Sequence, residues 1–447
     1  MQLSHLFSKQ YFYKPIDNSQ IVLWRIFFGF LMACESFGAI ATGWVKKTLI
    51  DPQFTFNFIG LDFLQPLPGS GMYFYFTVMG IFSLMVMVGY RYRMSAVALA
   101  LLWSGAYLMQ KTSYNNHYYL VFLICWVMVF VDAHRYAALD VRRTGTSSLT
   151  CPNWYRLFFI IQLFIVFTFG ALAKLYPGWW EGDFIKLSFN HKKNYWLIGP
   201  LLGKEWFQMF ITYSGLIFDA IIIPMLLWKR TRLLAMIGLL IFNLFNSVVF
   251  QIGIFPYAVL ALTIFFYEPE TIRRVFFKKK TIPINDIKPI NPTGLQRLAL
   301  PIFIIYFAIQ FALPVRHHFI PGDVNWREEG HRLSWRMMLR SKSGFIRLES
   351  FNPQTNERKR VKPRDYLSPK QASKLSTKPD FLWQFVQRLK QKYRAEGKEN
   401  MELYVKSSKV RLNGKKSRPL FKKDIDLMQV DWNYFGRNEW VLDKIED

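Results

Sequence analysis

LIFDAIIIPMLLWKRTRLLAMIGLLIFNLFNSVVF, residues 216–250, decides how this chain folds. Two apolar runs flank Lys229-Arg230-Thr231-Arg232. With their neighbours, each reaches about the 20 residues a helix needs to cross a bilayer. Backbone N–H and C=O groups find no water at that depth, so both runs must be helices joined by a short basic turn. Asp219, Asn243 and Asn246 interrupt the apolar surface. Such groups are costly in lipid and mark either contacts between helices or a functional site.

The same pattern repeats outward. Nine segments are predicted to span: 21–42, 71–90, 94–110, 117–131, 156–173, 206–228, 233–252, 255–267 and 298–315. The fourth and eighth are short. Residues 51–68 are aromatic but broken by Pro and Asp, and are expected to lie along the membrane interface. Composition agrees: of 447 residues 52% are hydrophobic, 43 are Phe, and only 19% are charged, against about 25% in a soluble domain. That aromatic content excludes disorder, and Cys34, Cys125 and Cys151 are too few and too scattered for a disulfide or zinc framework. The net charge of +27 raises the question of nucleic acid, but its placement in membrane loops and in one polar region excludes that partner.

Residues 316–447 hold 30 Lys/Arg against 17 Asp/Glu. The expected architecture is a polytopic α-helical membrane domain of about nine spans, residues 1–315, followed by a mainly β extramembrane domain, residues 316–447. Alternation over 343–352 and 401–412 predicts strands, with Asn413-Gly414 as a turn, and helical spacing over 381–393 predicts an amphipathic helix. The basic stretch 359–378 reads as a solvated loop or a docking patch. No short apolar core with a cleavage site stands at the N-terminus, so no removable signal peptide is expected. Dense basic clusters (Arg91/Arg93, Arg135/Arg142/Arg143, Lys229/Arg230/Arg232, Arg273–Lys280) fall in alternate loops. The positive-inside rule places those loops in the cytoplasm and the C-terminal domain outside it.

Common chemistries find no framework. The seven histidines show no repeated ligand spacing, and phosphate loop, nucleophile elbow and His-Glu-x-x-His are missing, so no metal is expected. Attention therefore turns to polar residues near one membrane face. Lys174, in FGALAKLYPGWWEG (169–182), has two readings. Snorkelling would carry its ammonium to water. Burial among Phe, Leu and Trp would favour the neutral amine and hence a base. The run Lys111-Thr-Ser-Tyr-Asn-Asn-His117 lies on the same side, either as an ordinary hairpin loop or as part of a site for a lipophilic ring with a polar head. Arg25 and Glu35, ten residues apart in the first span, each need a partner elsewhere.

KTSYNNHYYL (111–120), FGALAKLYPGWWEG (169–182), FNSVVFQIGIFPY (245–257), PLPGSGMYFYFTVMG (66–80), RHHFIPGDVNW (316–326) and LSWRMML (333–339) resemble the vitamin K-dependent gamma-carboxylase family, in order along nearly the whole chain. The resemblance implies oxygenation of reduced vitamin K, a naphthohydroquinone, to its epoxide. The strong base so formed removes a γ-proton from a protein Glu, to which carbon dioxide adds. Reduced vitamin K, O2 and CO2 are then co-substrates, without a metal. Lys174 matches the family's base toward the hydroquinone, and Asn115, Asn116 and His117 match its Asn-Asn-His motif. Asn243 and Asp219 are further candidates for the quinol, and Trp335, Met337, Met338 and Arg340 for the glutamate side.

Departures from the family are also legible. Asn243 stands where the animal enzymes have His, Arg336 where they have Asp, and Arg340 where a His follows. A neutral amide carries no proton near neutral pH, and Asp to Arg inverts a charge. No Cys beyond Cys151 is available for the animal family's disulfide, which suggests a bacterial-type relative in a cytoplasmic membrane. The expected function is an enzyme that oxygenates a naphthohydroquinone and couples this to glutamate carboxylation. The alternatives are epoxidation without carboxylation, and a non-catalytic quinone-binding or transport protein.

Overall fold

The computed structural model describes residues 8–196, 198–281, 292 and 294–444. Among the described residues, the helices of its N-terminal part that correspond to the expected segments are α1 (Ser19–Ala41), α2 (Gly71–Val88), α3 (Tyr92–Met109), α4 (Asn116–Phe130), α5 (Trp154–Leu172), α6 (Glu205–Leu227), α7 (Arg232–Phe250), α8 (Phe255–Leu262) and α9 (Ala299–Val315), with shorter helices between them. All nine expected segments are helical, but not all are long and apolar enough to cross a membrane. Among the described residues six are: α1, α2, α5, α6, α7 and the continuous stretch Gln296–Phe319 that contains α9. α4, and α8 with its 3-10 extension to Phe266, are apolar but short. α3 has the length, but Arg93, Ser95 and Ser104 dilute its apolar character. The polytopic helical architecture stands with six helices that meet both criteria among the described residues.

Two charged residues of α1 find the partners that the sequence left open. The Arg25 guanidinium donates to the carbonyls of Ala133 (3.0 Å) and Ala137 (2.7 Å) beyond the end of α4. The Tyr118 hydroxyl donates to Glu35 at 2.6 Å. Strands β1 (Pro15–Asp17) and β2 (Thr150–Pro152) pair antiparallel, tying the N-terminal segment to the start of α5. Outer faces remain apolar and exposed, as Leu233, Ile241 and Val248 on α7 show, which suits contact with lipid.

The C-terminal region is mixed rather than mainly β. β3 (Lys342–Asn352) is central in a three-stranded antiparallel sheet, with β4 (Glu357–Val361) and β5 (Glu402–Leu412) on either side. Helices α10 (Pro369–Leu375) and α11 (Pro379–Ala395) accompany it. Phe381, Leu382, Phe385 and Leu389 of α11 pack on Leu348, Leu403 and Val405 of the sheet. The expected solvated loop 359–378 contains the end of β4 and all of α10, whose Ser368 and Gln371 form a reciprocal capping box. Asn413 and Gly414 turn with φ of 51° and 77°, as their types predict.

Residues 51–68 are drawn toward this region rather than only along the interface. Phe56 is buried in the C-terminal core, with its ring 4.7 Å from that of Phe381. Loop 111–114 is held likewise. Lys111, which the sequence left between an ordinary hairpin loop and a site for a lipophilic ring, pairs with Asp380 of α11 at 2.6 Å, and Arg332 reaches the same carboxylate at 2.8 Å. The C-terminal region thus clasps the ends of α3 and α4 that sequence placed on the side of Lys174.

Candidate active site

Lys174 lies two residues beyond α5, where the chain turns back. Its Nζ donates to the Gly170 carbonyl (3.2 Å) and is ion-paired with Asp219 of α6. The Trp179 ring lies 5.3 Å from Nζ, and its indole N–H bonds to the Thr212 carbonyl of α6. Both charged side chains are over nine-tenths buried. Snorkelling is therefore excluded. The purely apolar surroundings expected for Lys174 are not found either, because a carboxylate compensates the charge that such surroundings would expel.

The pair borders a cavity of about 110 Å³ enclosed by α4, α5, α6, α7, the start of α8 and loop 333–340. That is about three-quarters of the ~150 Å³ cavity known to hold benzene, so its size is of the order of a single small ring. Met337 and Met338 form a wall of flexible thioethers, the residue type best suited to repack around a larger head. His117, in the first turn of α4, faces the cavity with its ring 4.0 Å from that of Phe255. Asn243 and Asn246, three apart and hence on one side of α7, face it as well. The Asn243 amide donates to the Leu239 carbonyl at 2.8 Å. Neither His117 nor Asn246 has a side-chain hydrogen-bond partner among the described residues.

The structure thus brings Lys174, Asp219, His117, Asn243, Met337 and Met338 to one cavity. Four expected residues are not on its wall. Asn115 caps α4, accepting from the Tyr118 N–H at 2.7 Å. Asn116 donates to the Arg336 carbonyl at 3.0 Å and accepts from the Tyr114 hydroxyl, which itself accepts from the Leu333 N–H. These two amides position the α4 terminus and loop 333–340 instead of lining the cavity. Trp335 is fully buried against Tyr119, with ring centroids 5.0 Å apart. Arg340 pairs with Glu328, which Lys342 and Lys378 also approach. Arg336 donates to Asn325 at 3.1 Å.

Sequence reading missed Trp179, Ser214 and Phe242. A signal was present: Ile211, Ser214, Gly215 and Asp219 follow helical spacing on one face of α6. Leu333, Trp335 and Met338 adopt left-handed φ of 58°, 54° and 54°. Such conformations are costly in non-glycine residues and persist where surrounding contacts over-determine them, a frequent property of functional loops.

An HTTM domain model matches residues 13–270, and a model of the vitamin K-dependent gamma-carboxylase lumenal domain matches residues 295–447. The chain belongs to the vitamin K-dependent gamma-carboxylase family. It is a gamma-carboxylase-like integral membrane protein. No solved structure matches it. In this carboxylase relative the cavity joins both matched regions: Lys174, Asp219, His117 and Asn243 come from the first, and Met337 and Met338 from the second.

Proposed function

We propose that the protein oxygenates reduced vitamin K to its epoxide and couples this step to carboxylation of protein Glu. The observation that carries this reading is the buried Lys174–Asp219 pair on the wall of an aromatic-sized cavity that His117 and Asn246 also face. As a unit the pair holds one mobile proton and accepts a second, which is what removal of a hydroquinone O–H proton requires. His117 and Asn246 bring polar atoms without protein partners, matching a head that both donates and accepts hydrogen bonds. Phe242 and Phe255 supply apolar surface for the ring. When bound, the quinol supplies the oxygen chemistry that generates a strong base. Met337 and Met338 occupy the side from which a glutamate γ-carbon would approach.

One observation favours a second reading, epoxidation that outruns carboxylation. Asn243 puts a neutral amide on the cavity wall where the animal enzymes are inferred to have an imidazole. Arg336 and Arg340 bear less directly on the chemistry, since both are engaged outside the cavity.

The test combines purified protein, reduced vitamin K, oxygen, labelled bicarbonate and a glutamate peptide, with epoxide and fixed label followed separately. Equal amounts establish coupled carboxylation. Epoxide in clear excess, reduced by Asn243→His, establishes uncoupling. Absence of quinol-dependent epoxide overturns both readings and leaves a non-catalytic quinone-binding protein.

A further inference from the structure

α3 runs from Tyr92 to Met109, and just beyond its far end Lys111 meets the C-terminal region. At about 1.5 Å per residue, Arg91 therefore lies roughly 27 Å away, at the opposite end of the bundle. There the α2–α3 turn and the segment after α4 form an open depression of about 450 Å³. Arg91, Arg93, Arg135 and Arg143 line it together with Thr146.

The local charges do not cancel. Asp132 pairs with Arg93 (2.7 Å) and lies 3.7 Å from Arg135, and Asp140 pairs with Arg143 (3.0 Å). Asp140 also accepts the backbone N–H groups of Arg91 and Tyr92 at 2.9 and 2.8 Å. Four guanidiniums thus face two carboxylates. Arg91 has no carboxylate partner among the described residues; its guanidinium lies 6.0 Å from the Tyr90 ring. It is also held at φ 41°, a conformation unfavourable for a residue with a Cβ. Thr146 accepts from Arg135 at 3.1 Å and its hydroxyl meets that of Thr144 at 2.7 Å, which holds it at the rim of the depression.

We propose that this depression binds a phosphate group, carried by the headgroup of an anionic lipid. Planar guanidinium forks match phosphate oxygens in pairs, and a surplus of two positive charges matches an anion. The lipid source follows from the surroundings. Met94 is part of the lining, and exposed Tyr90, Leu139 and Phe130 stand beside it, where acyl chains would lie. Free phosphate would use the arginines without this apolar margin. The proposal is independent of the reaction proposed for the cavity, because it concerns the other end of the helices.

Full-length protein in neutral detergent is titrated with phosphatidylglycerol, phosphatidylcholine or inorganic phosphate. Thermal protection and bound lipid by native mass spectrometry are read together. Phosphatidylglycerol should protect saturably and at about tenfold lower concentration than phosphatidylcholine. Arg91→Asn with Arg135→Gln should raise its half-saturation by about tenfold or more, leaving the response to phosphatidylcholine unchanged. Arg91→Asn alone, compatible with left-handed φ, serves if the double variant does not fold. Protection by inorganic phosphate with the same arginine dependence would support the phosphate chemistry and assign it to a soluble source. Equal protection by the two lipids without any effect of phosphate, or unaltered affinity in the variants, would overturn the proposal.

Discussion

Lys174 shows how one contact changes the meaning of a residue. Read as a lysine at the end of a span, it is a small part of the packing, and Lys174→Ala would be structurally benign. Paired with Asp219 inside the bundle, it is not. Removing one member of a buried pair leaves an uncompensated charge and costs about 3–5 kcal/mol. Lys174→Ala should therefore abolish quinol-dependent epoxide and also lower the melting temperature in detergent. Lys174→Met combined with Asp219→Leu should recover most of the stability but none of the activity. If the single variant keeps near-wild-type epoxide formation, Lys174 is not the base.

At the scale of elements, close approach and cross-element charge decide the packing. A Cβ on Gly29 of α1 would stand 2.5 Å from the backbone N of Met87 on α2 and 2.6 Å from its Cα. Backbone on both sides cannot retreat as a side-chain tip would, so Gly29→Ala should destabilise by about 1–3 kcal/mol, read as a lower melting temperature. The Lys111–Asp380–Arg332 cluster joins the α3–α4 loop to α11. Burial pulls the Lys111 ammonium down to about 8, with Asp380 opposing and Arg332 adding to the fall. Burial alone would raise Asp380, but Arg332 and Lys111 more than offset it and hold the carboxyl below its usual range. Lys111 shifts against the usual direction for a paired lysine, whereas Asp380 shifts in the usual direction for a paired carboxylate. Between pH about 8 and 10.5 the unfolded chain retains on Lys111 a proton that the folded chain releases, so this residue makes stability rise with pH there. Asp380 contributes stability above the ordinary Asp range, lost as pH falls below it. Lys111→Met should flatten the alkaline rise in a melting series across pH, and an unchanged series would show that Lys111 does not titrate as stated.

At the scale of the molecule, the C-terminal region touches the ends of α3 and α4, and through Lys415 it reaches Glu181 and Asp183 beyond α5. One end of the bundle is therefore covered, and the basic loops lie at the other. With those loops in the cytoplasm, exposed Lys359 on β4 faces the opposite compartment. In a background lacking the three native cysteines, Lys359→Cys should react with an impermeant maleimide in intact cells or spheroplasts. Labelling only after lysis would reverse the orientation.

The amino-acid sequence by itself determined the helical membrane architecture, since an apolar run of about 20 residues leaves the backbone one way to satisfy its polar groups. It also determined β3, β5 and α11, whose apolar periods of two and 3.6 are local properties. Residues such as Lys174, His117 and Asp219 were legible as candidates because polar groups at membrane depth stand out. Their grouping was not, because Lys174 and Asp219 are 45 positions apart and Met337 comes from another matched region. Nor was the withdrawal of Asn115, Asn116, Trp335 and Arg340 from the cavity, which depends on partners as distant as Arg336 is from Asn116. Tertiary structure alone decided these points, because which polar group meets which is settled by helix packing, and packing joins faces whose order along the chain carries no trace of their meeting.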